Sequence, residues 1–414
     1  MGPASIRLFI GICLVIRATP AAEPVSFRAA LRMASERAPL ALGSAQSAKT
    51  LRRAAERSNP LFLLPAQLQV YSAARRLAAD ASLGSDTQAQ FQQYVPLRPV
   101  GATRREAMSA AEALSLARQS EARAVAAERA AHAWLDVFFS EQYHALRGRA
   151  LTEAESLTKL ARARVAAGTA SANDTALALA DEAIAMAENI EAEGELHEAT
   201  IALGSLIGLE DDSLAIDPSD APSNVAPVPH DAALQNMRAR HTGVLRARAY
   251  EQGVRRDASH FEASQGLNVG IGGVSSREGT GDIFVGALVT LPLAWSTPGE
   301  AEVLRAEAAL HEASAARAFE EEELHRILRL ALHEYDHARD SARASLNALR
   351  ALQEAYRIAR ALVDRGAVDL SVAALARQRL IAGETRSIRS NVRILHANVR
   401  LLAAQGTLPE GSPP

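Results

Sequence analysis

One short stretch of the sequence matches a pattern that carries out hydrolysis in other proteins. Residues 333–337 read His-Glu-Tyr-Asp-His, the His-Glu-x-x-His pattern of zinc metallopeptidases. On a helix this spacing places two imidazoles one turn apart as zinc ligands, with Glu334 as the general base. Asp336 is charged where such sites usually carry an uncharged residue, and no third ligand stands at an obvious spacing. We therefore interpret His333, Glu334 and His337 as a solvated helix face; weak metal binding by the two histidines and a zinc peptidase are the less favoured alternatives.

Other patterns for catalysis or cofactor binding are missing from the sequence. Cys13 is the only cysteine, so the chain's own thiols build neither a disulfide nor a Cys-based metal centre. No Gly-x-Ser-x-Gly nucleophile elbow occurs, and the glycines in 270–273 lie in strand and turn sequence rather than in a phosphate loop. The 45 Lys and Arg residues against 48 Asp and Glu disfavour a general nucleic-acid binder. We predict no enzyme activity, no cofactor, no structural metal and no nucleic-acid partner.

The elements that position these residues come from an internal repeat. Three glycines of the first half recur in the second half at a constant offset of 198 residues, Gly101, Gly168 and Gly208 as Gly299, Gly366 and Gly406. The 66 residues between the first two glycines of each set contain no Pro and are rich in Ala, Leu, Glu and Arg. This composition predicts two long helices, 101–167 and 299–365, each followed by a glycine tip and a second helix.

Sequence with β character precedes each long helix. Residues 261–273 alternate between apolar and polar side chains, and 282–293 follow after a polar turn, which predicts a pair of strands. Residues 67–73 and 88–97 are weaker counterparts in the first half. Each repeat therefore has the predicted order helix, strand, strand, long helix, glycine tip, helix, which is a mainly α fold with a small β part.

The rest of the chain divides around the two repeats. Residues 1–22 combine an Arg, an apolar run and small residues before an acidic one, which indicates a signal peptide. The first repeat spans 23–208, the Pro-rich linker 209–229, the second repeat 230–406 and the tail 407–414. No later stretch approaches about 18 consecutive apolar residues, so we expect any entry into a membrane to be made by strands.

The predicted dimensions limit the architecture. A helix of 66 residues is about 100 Å long and needs a neighbour along its whole length. Aromatic residues are only 4% of a chain that is 48% hydrophobic, which favours close packing of Ala-rich helices. Four strands are too few for a membrane barrel, which needs about eight, and open strand edges are not tolerated in lipid. The strands must therefore be pooled between copies; an exported coiled-coil protein without a pore explains the helices but not the strands.

Over residues 26–406 the sequence resembles the TolC-like family of outer membrane efflux proteins. The resemblance rests on the repeat, on Pro-Leu at the end of the second strand of each pair, and on the tip after the first long helix. The family's tip pattern is Gly, two residues, Ser or Thr, two residues, then Asp. Gly168, Ser171 and Asp174 fit this pattern.

The second tip departs from the family pattern. Asp369 and Val372 stand at the places of Ser171 and Asp174, with Ser371 nearby. Channels of this family narrow at the tip, and the resemblance therefore implies a pore constriction there. The candidate residues for it are Asp364, Val372 and Leu375. Carboxylates of three copies form rings that attract cations; alternatively, Asp174 and Asp369 only cap the helices that follow.

The resemblance implies a homotrimer in which four strands per chain make a 12-stranded outer membrane β-barrel, continued by a periplasmic α-helical coiled-coil tunnel. It also implies contact with outer membrane lipid, with a periplasmic adaptor (membrane fusion) protein and with an inner-membrane pump. The predicted function is a passive exit duct for small molecules or metal cations. The residues expected to dock the adaptor are those of the two tips: Arg164, Gly168, Ser171, Asp174, Gly366, Asp369 and Ser371.

Overall fold

The computed structural model describes residues 24–57, 66–76, 83–97, 99–209, 214–222, 229–264, 268–278, 280–291 and 300–408. Several predicted segments lie outside these ranges: the signal peptide (1–22), parts of the linker (210–213 and 223–228), Pro292-Leu293 with Gly299, and the tail from residue 409 onward.

The same order of elements occurs in both halves of the chain: two helices, two strands, a long helix and a further helix. The first half contains α1 (Phe27–Arg37), α2 (Pro39–Arg57), β1 (Gln67–Arg76), β2 (Leu83–Pro96), α3 (Val100–Ala166) and α4 (Ala172–Ile207). The second half contains α5 (His230–Arg240), α6 (Thr242–Ser264), β3 (Asn268–Arg277), β4 (Ile283–Thr290), α7 (Glu300–Asp364) and α8 (Leu370–Ala404). A 3-10 turn at Pro218–Asp220 lies between the halves.

Two helices, rather than the single predicted one, open each half. Helix α1 ends before Ala38, and Pro39 starts α2, because Pro lacks the backbone N–H that would continue the ladder. Helix α5 ends at Arg240, and the ring Nδ1 of the next residue, His241, accepts a hydrogen bond from the Gly243 amide at 3.1 Å as α6 begins.

One of the predicted strands begins later than its alternation indicates. Residues 261–264 belong to α6, and Ser264 donates its hydroxyl proton to the Phe261 carbonyl at 2.7 Å, as in a helical turn. Phe261 is exposed whereas Ala263 is buried, so the two side chains do not share the face that a strand would give them. The prediction of strand from residue 261 is therefore wrong, because a four-residue alternation also fits the last turn of an amphipathic helix.

The four strands form one antiparallel sheet in the order β1-β2-β3-β4. The central pair joins the two halves, with Phe91 opposite Gly273 and Val95 opposite Val269. Gly272 is required there, since an added Cβ would lie 1.9 Å from the Phe91 carbonyl oxygen. Strands β1 and β4 are left as the two edges of the sheet.

The helices pack against one another, and their order follows the order of the two halves. Helix α3, of 67 residues, packs against α1, α2, α4, α6 and α8, while α7 packs against α6 and α8. Around the molecule the order is α2 and α4, then α3, then α6 and α8, then α7. Small buried residues such as Ala127, Ala130 and Ala131 allow the axes to approach closely. None of the described helices is both long and apolar enough to span a membrane.

Trp134 anchors the largest hydrophobic core, at the middle of α3. Its side chain is fully buried, contacts Phe27 edge-on at 5.4 Å between ring centroids, and stacks on Phe138. Its indole N–H donates to the Val25 carbonyl at 3.0 Å, and Val25 pairs in parallel with Ile216. This contact holds the chain that enters the first half against the chain that links the halves.

Candidate functional site

The first tip is a turn closed by backbone hydrogen bonds. Gly168 has φ 72°, its amide donates to the Val165 carbonyl at 3.0 Å, and the Thr169 amide donates to the Arg164 carbonyl at 2.9 Å. This pair of bonds is the Schellman motif, which satisfies the last carbonyls of α3 and requires a left-handed residue. Glycine adopts that conformation without steric strain.

Ser171 and Asp174 form the N-terminal cap of α4. The Ser171 hydroxyl accepts a hydrogen bond from the Asp174 amide at 3.3 Å, and Asp174 Oδ2 accepts one from the Ser171 amide at 2.8 Å. Such a capping box satisfies two amides that would otherwise lack a helical partner. All three motif residues of this tip, Gly168, Ser171 and Asp174, therefore have a local structural role.

The second tip repeats the glycine turn but not the capping box. Gly366 has φ 70° and donates to the Val363 carbonyl at 2.9 Å. Asp369 occupies the N-cap position of α8, yet its side chain makes no capping hydrogen bond to the described residues. Val372 stands where Asp174 stands in the first tip and has no acceptor to offer. Asp364 Oδ1 lies 3.3 Å from Arg360 Nε, one turn earlier in α7.

The two tips pack against each other. The Arg164 guanidinium donates to the Val363 carbonyl at the end of α7. Beneath this contact lies a buried apolar cluster with members from α3, α7 and α8: Leu157, Ala161, Val363, Leu370 and Ala373. The sequence-predicted tip residues are therefore brought to one end of the molecule.

A groove of about 200 Å³ separates α4 from α8 at this end. Asp174 from the first tip and Ser371 and Leu375 from the second tip line it. Leu375 is 51% exposed, and Val372 is 45% exposed without lining the groove. The constriction residues are thus surface groups within one chain, available to another copy or to a partner.

An ion pair that the sequence analysis missed lies at the end of this groove farther from the tips. Arg377 of α8 is buried; it donates to the Ala150 carbonyl of α3 at 2.9 Å and pairs with the carboxylate of Asp181 in α4. Gln378 donates to the other Asp181 oxygen at 3.0 Å. The signal for it was an arginine at a core position, since Arg377 continues the buried stripe of Leu370 and Ala373.

The structure places His333, Glu334 and His337 on an exposed face of α7. His333 and His337 are exposed on α7 with ring centroids 6.3 Å apart, and Glu334 pairs with Arg400 at 2.9 Å. Asp336 pairs with Arg339 at 3.2 Å. Across the ranges that the structure covers, no three His, Cys, Asp or Glu side chains come together to hold a metal ion. A catalytic zinc site needs three protein ligands, and this pair supplies two.

The sheet has one mainly apolar face and one face rich in glutamine, and the apolar face is left uncovered by the part of the chain that the structure describes. The strand register places these exposed side chains on the same face: Leu68 and Val70 of β1, Phe91 of β2, Ile271 of β3, and Ile283, Val285 and Val289 of β4. The opposite face carries Gln69, Gln88, Gln90 and Gln92, together with exposed Tyr71 and Phe284. A membrane β-barrel has this alternation, with apolar residues toward lipid and polar residues toward the lumen.

The two outer helices also expose apolar side chains along their length. On α4 these are Leu177, Leu179, Ile184, Met186 and Ile190, and on α7 they are Leu304, Phe319, Leu330, Leu346 and Ile358. Each helix lies at one edge of the helical layer, and β1 and β4 lie at the edges of the sheet. The molecule therefore has two unpartnered sides that differ from each other.

Comparison with solved structures gives a consistent fold. The outer membrane channel MtrE of Neisseria gonorrhoeae is 16% identical, with a TM-score of 0.74, over 93% of this chain and 90% of that one. The outer membrane protein VceC of Vibrio cholerae is 15% identical, with a TM-score of 0.72, over 92% and 96%. The CmeC outer membrane channel of Campylobacter jejuni is 13% identical, with a TM-score of 0.71, over 94% and 87%.

No protein-family model and no curated protein matches the chain by sequence. The structural likeness covers nearly the whole of this chain and of its neighbours. The two halves, the four-stranded sheet and the long helices together have the fold of the outer membrane channels.

Proposed function

We propose that the chain is one subunit of a homotrimeric outer membrane channel that serves as a passive exit duct in a tripartite efflux or secretion system. The observation that carries this proposal is the two-faced sheet. Its exposed valine, leucine, isoleucine and phenylalanine side chains suit lipid, and its glutamines suit a water-filled lumen. A soluble coiled-coil rod gives no reason for such a sheet.

The unpartnered sides support assembly into a closed ring. A four-stranded sheet with free edges is not viable in lipid, because edge amides and carbonyls lack partners there. Pairing β4 of one copy with β1 of the next satisfies both edges and brings α7 of the first copy beside α4 of the second. Contacts of this head-to-tail kind close into rings. Three copies supply 12 strands, more than the about eight that a small membrane barrel needs.

The tips are the proposed docking end for a periplasmic adaptor. They lie at the far end of α3 and α7 from the sheet, about 100 Å away along helices of this length. Arg164, Gly168 and Gly366 shape the turns, and the groove between α4 and α8 offers exposed Leu375 beside Asp174. An inner-membrane pump supplies the energy in this scheme and selects the small molecule or metal cation that leaves.

The constriction proposal separates into two parts. Val372 and Leu375 are exposed apolar groups that three copies bring together as a narrowing that excludes water. The Asp174 carboxylate accepts a hydrogen bond from the Ser171 amide, and the Asp364 carboxylate forms an ion pair with Arg360. The Asp369 carboxylate makes no capping hydrogen bond to the described chain. Of the three carboxylates, Asp369 is therefore the best candidate for a cation-attracting ring.

A matched pair of strand variants tests the membrane orientation. Val285 is 76% exposed on the apolar face of β4. Across the sheet, Val285 is level with Ala89 of β2, and Gln88, the residue before Ala89, lies on the glutamine face. Val285→Arg should reduce the amount of protein extracted from the outer membrane by detergent, because a charge facing lipid costs about 2–4 kcal/mol at mid-depth. Gln88→Arg should leave that amount unchanged. Equal tolerance of both variants, or a wild type that fractionates as a soluble helical rod, would refute the proposal.

A further inference from the structure

Two histidines meet at the seam between the two halves of the chain. His132 of α3 and His396 of α8 lie with their Nδ1 atoms 2.7 Å apart, and their ring planes are within 10° of parallel. A contact this short between two imidazole nitrogens needs one N–H donor and one unprotonated acceptor. The contact therefore cannot persist when both Nδ1 atoms carry a proton.

Charged groups surround the pair on every side. His396 Nε2 lies 3.3 Å from Asp136 Oδ1, and His132 Nε2 lies 4.0 Å from Glu128 Oε1, so a carboxylate stands at each outer end. The groups that face the pair are Glu128 and Asp136 from α3, Glu334 from α7, and Arg389, Arg393 and Arg400 from α8. Arg400 is itself bound to Glu334 at 2.9 Å.

We propose that the His132–His396 contact is a proton-sensitive link that holds α8 on α3 near neutral pH and releases it in acid. The first proton leaves the link intact, because one imidazolium can donate to the remaining neutral imidazole while Asp136 lies close to the positive ring. The second proton removes the acceptor and places two cations in contact. The link lies within one chain, so it goes beyond the proposed channel function and does not depend on the trimer.

The electrostatic environment sets the direction of the effect. The pKa of His132 is lowered from 6.5 to about 4, mainly by burial and then by the neighbouring His396 and Arg400, against the opposing influence of Asp136. The closed link therefore binds fewer protons than the open one, and its stability falls as pH drops from 6.5 toward 4. Burial raises the pKa of Glu128, which works in the opposite sense and offsets part of this loss.

Hydrogen exchange at two pH values tests the link in the full chain extracted in detergent. If opening takes up one proton, the opening constant of α8 around residues 390–400 rises at most tenfold per pH unit, or up to about a hundredfold between pH 7.5 and 4.5. His132→Asn keeps an amide donor near the position of Nδ1 but does not titrate there, so we expect it to remove most of this rise. His197→Asn, on the exposed face of α4, should behave as wild type.

The same rise in His132→Asn as in wild type would overturn the proposal. His396→Asn provides an independent variant, since it removes the other imidazole of the pair and should flatten the response in the same way. The wild-type protein alone also tests the link. After division by the intrinsic amide exchange rate, which itself falls with pH, the opening constant should rise more in acid at 390–400 than at 372–380 near the tip. An equal rise along the whole of α8 would contradict a local link.

Discussion

Neutralising Asp181 should loosen the tip end of α8. Arg377 has a side chain only 3% exposed, and Asp181 is 15% exposed, so Asp181→Asn leaves a buried guanidinium with the Ala150 carbonyl and a neutral amide as partners. Removing one member of a buried ion pair typically costs about 3–5 kcal/mol. Asp181 retains some solvent contact, so we expect the lower end, about 3 kcal/mol, or roughly a hundredfold in the local opening constant.

Amide hydrogen exchange of residues 370–380 measures this loss directly, because local opening reports the stability of the unit that opens. Arg357→Ala is the control, since Arg357 and Glu354 form an ion pair on the exposed face of α7 and its removal should change little. The double variant Arg377→Met with Asp181→Leu should recover most of the loss, because apolar side chains of similar volume often replace a buried pair without cost. Exchange in Asp181→Asn no faster than in the Arg357→Ala control would refute the reasoning.

Three further outcomes concern the tips. Gly168→Trp should abolish efflux complementation while trimer level and membrane location stay unchanged; export at the full wild-type rate would remove the tip from the docking surface. Ser171→Ala should destabilise the start of α4 by about 1 kcal/mol in thermal unfolding, because the capping box is lost; an unchanged unfolding curve would contradict that role. In planar bilayers, Asp369→Asn should reduce cation preference more than Asp364→Asn or Asp174→Asn, and unchanged selectivity in all three would remove the acidic ring.

Local sequence signals predicted the long elements well because their causes are local. Helix α3 spans Val100–Ala166 where the sequence predicts 101–167, and α7 spans Glu300–Asp364 where it predicts 299–365. The ends are set by Gly168 and Gly366, whose left-handed turns depend only on the backbone. Pro39 also signals a helix break, because it lacks the backbone N–H that continues a helix. The repeat pattern nevertheless indicated one helix before the strands of each half.

Contacts between distant segments were not readable from one sequence. Arg377 stands at a core position of α8, but its partner Asp181 is 196 residues away, and no local pattern identifies that partner. The same holds for His132 and His396, which are 264 residues apart. Their positions depend on how α3, α4 and α8 pack, which small alanine side chains determine collectively. The His-Glu-x-x-His stretch shows the converse, since correct local spacing gave two exposed rings, and no third ligand joins them within the described part of the chain.

The most direct test of the channel proposal is the number of copies in the assembly. Native mass spectrometry of detergent-extracted protein should show three chains, and a cysteine pair placed at β4 and β1 should form a disulfide between copies rather than within one. Both results follow from closing the free edges of a four-stranded sheet into a 12-stranded barrel. A stable monomer, or an assembly whose sheet edges do not crosslink between copies, would contradict the closed channel.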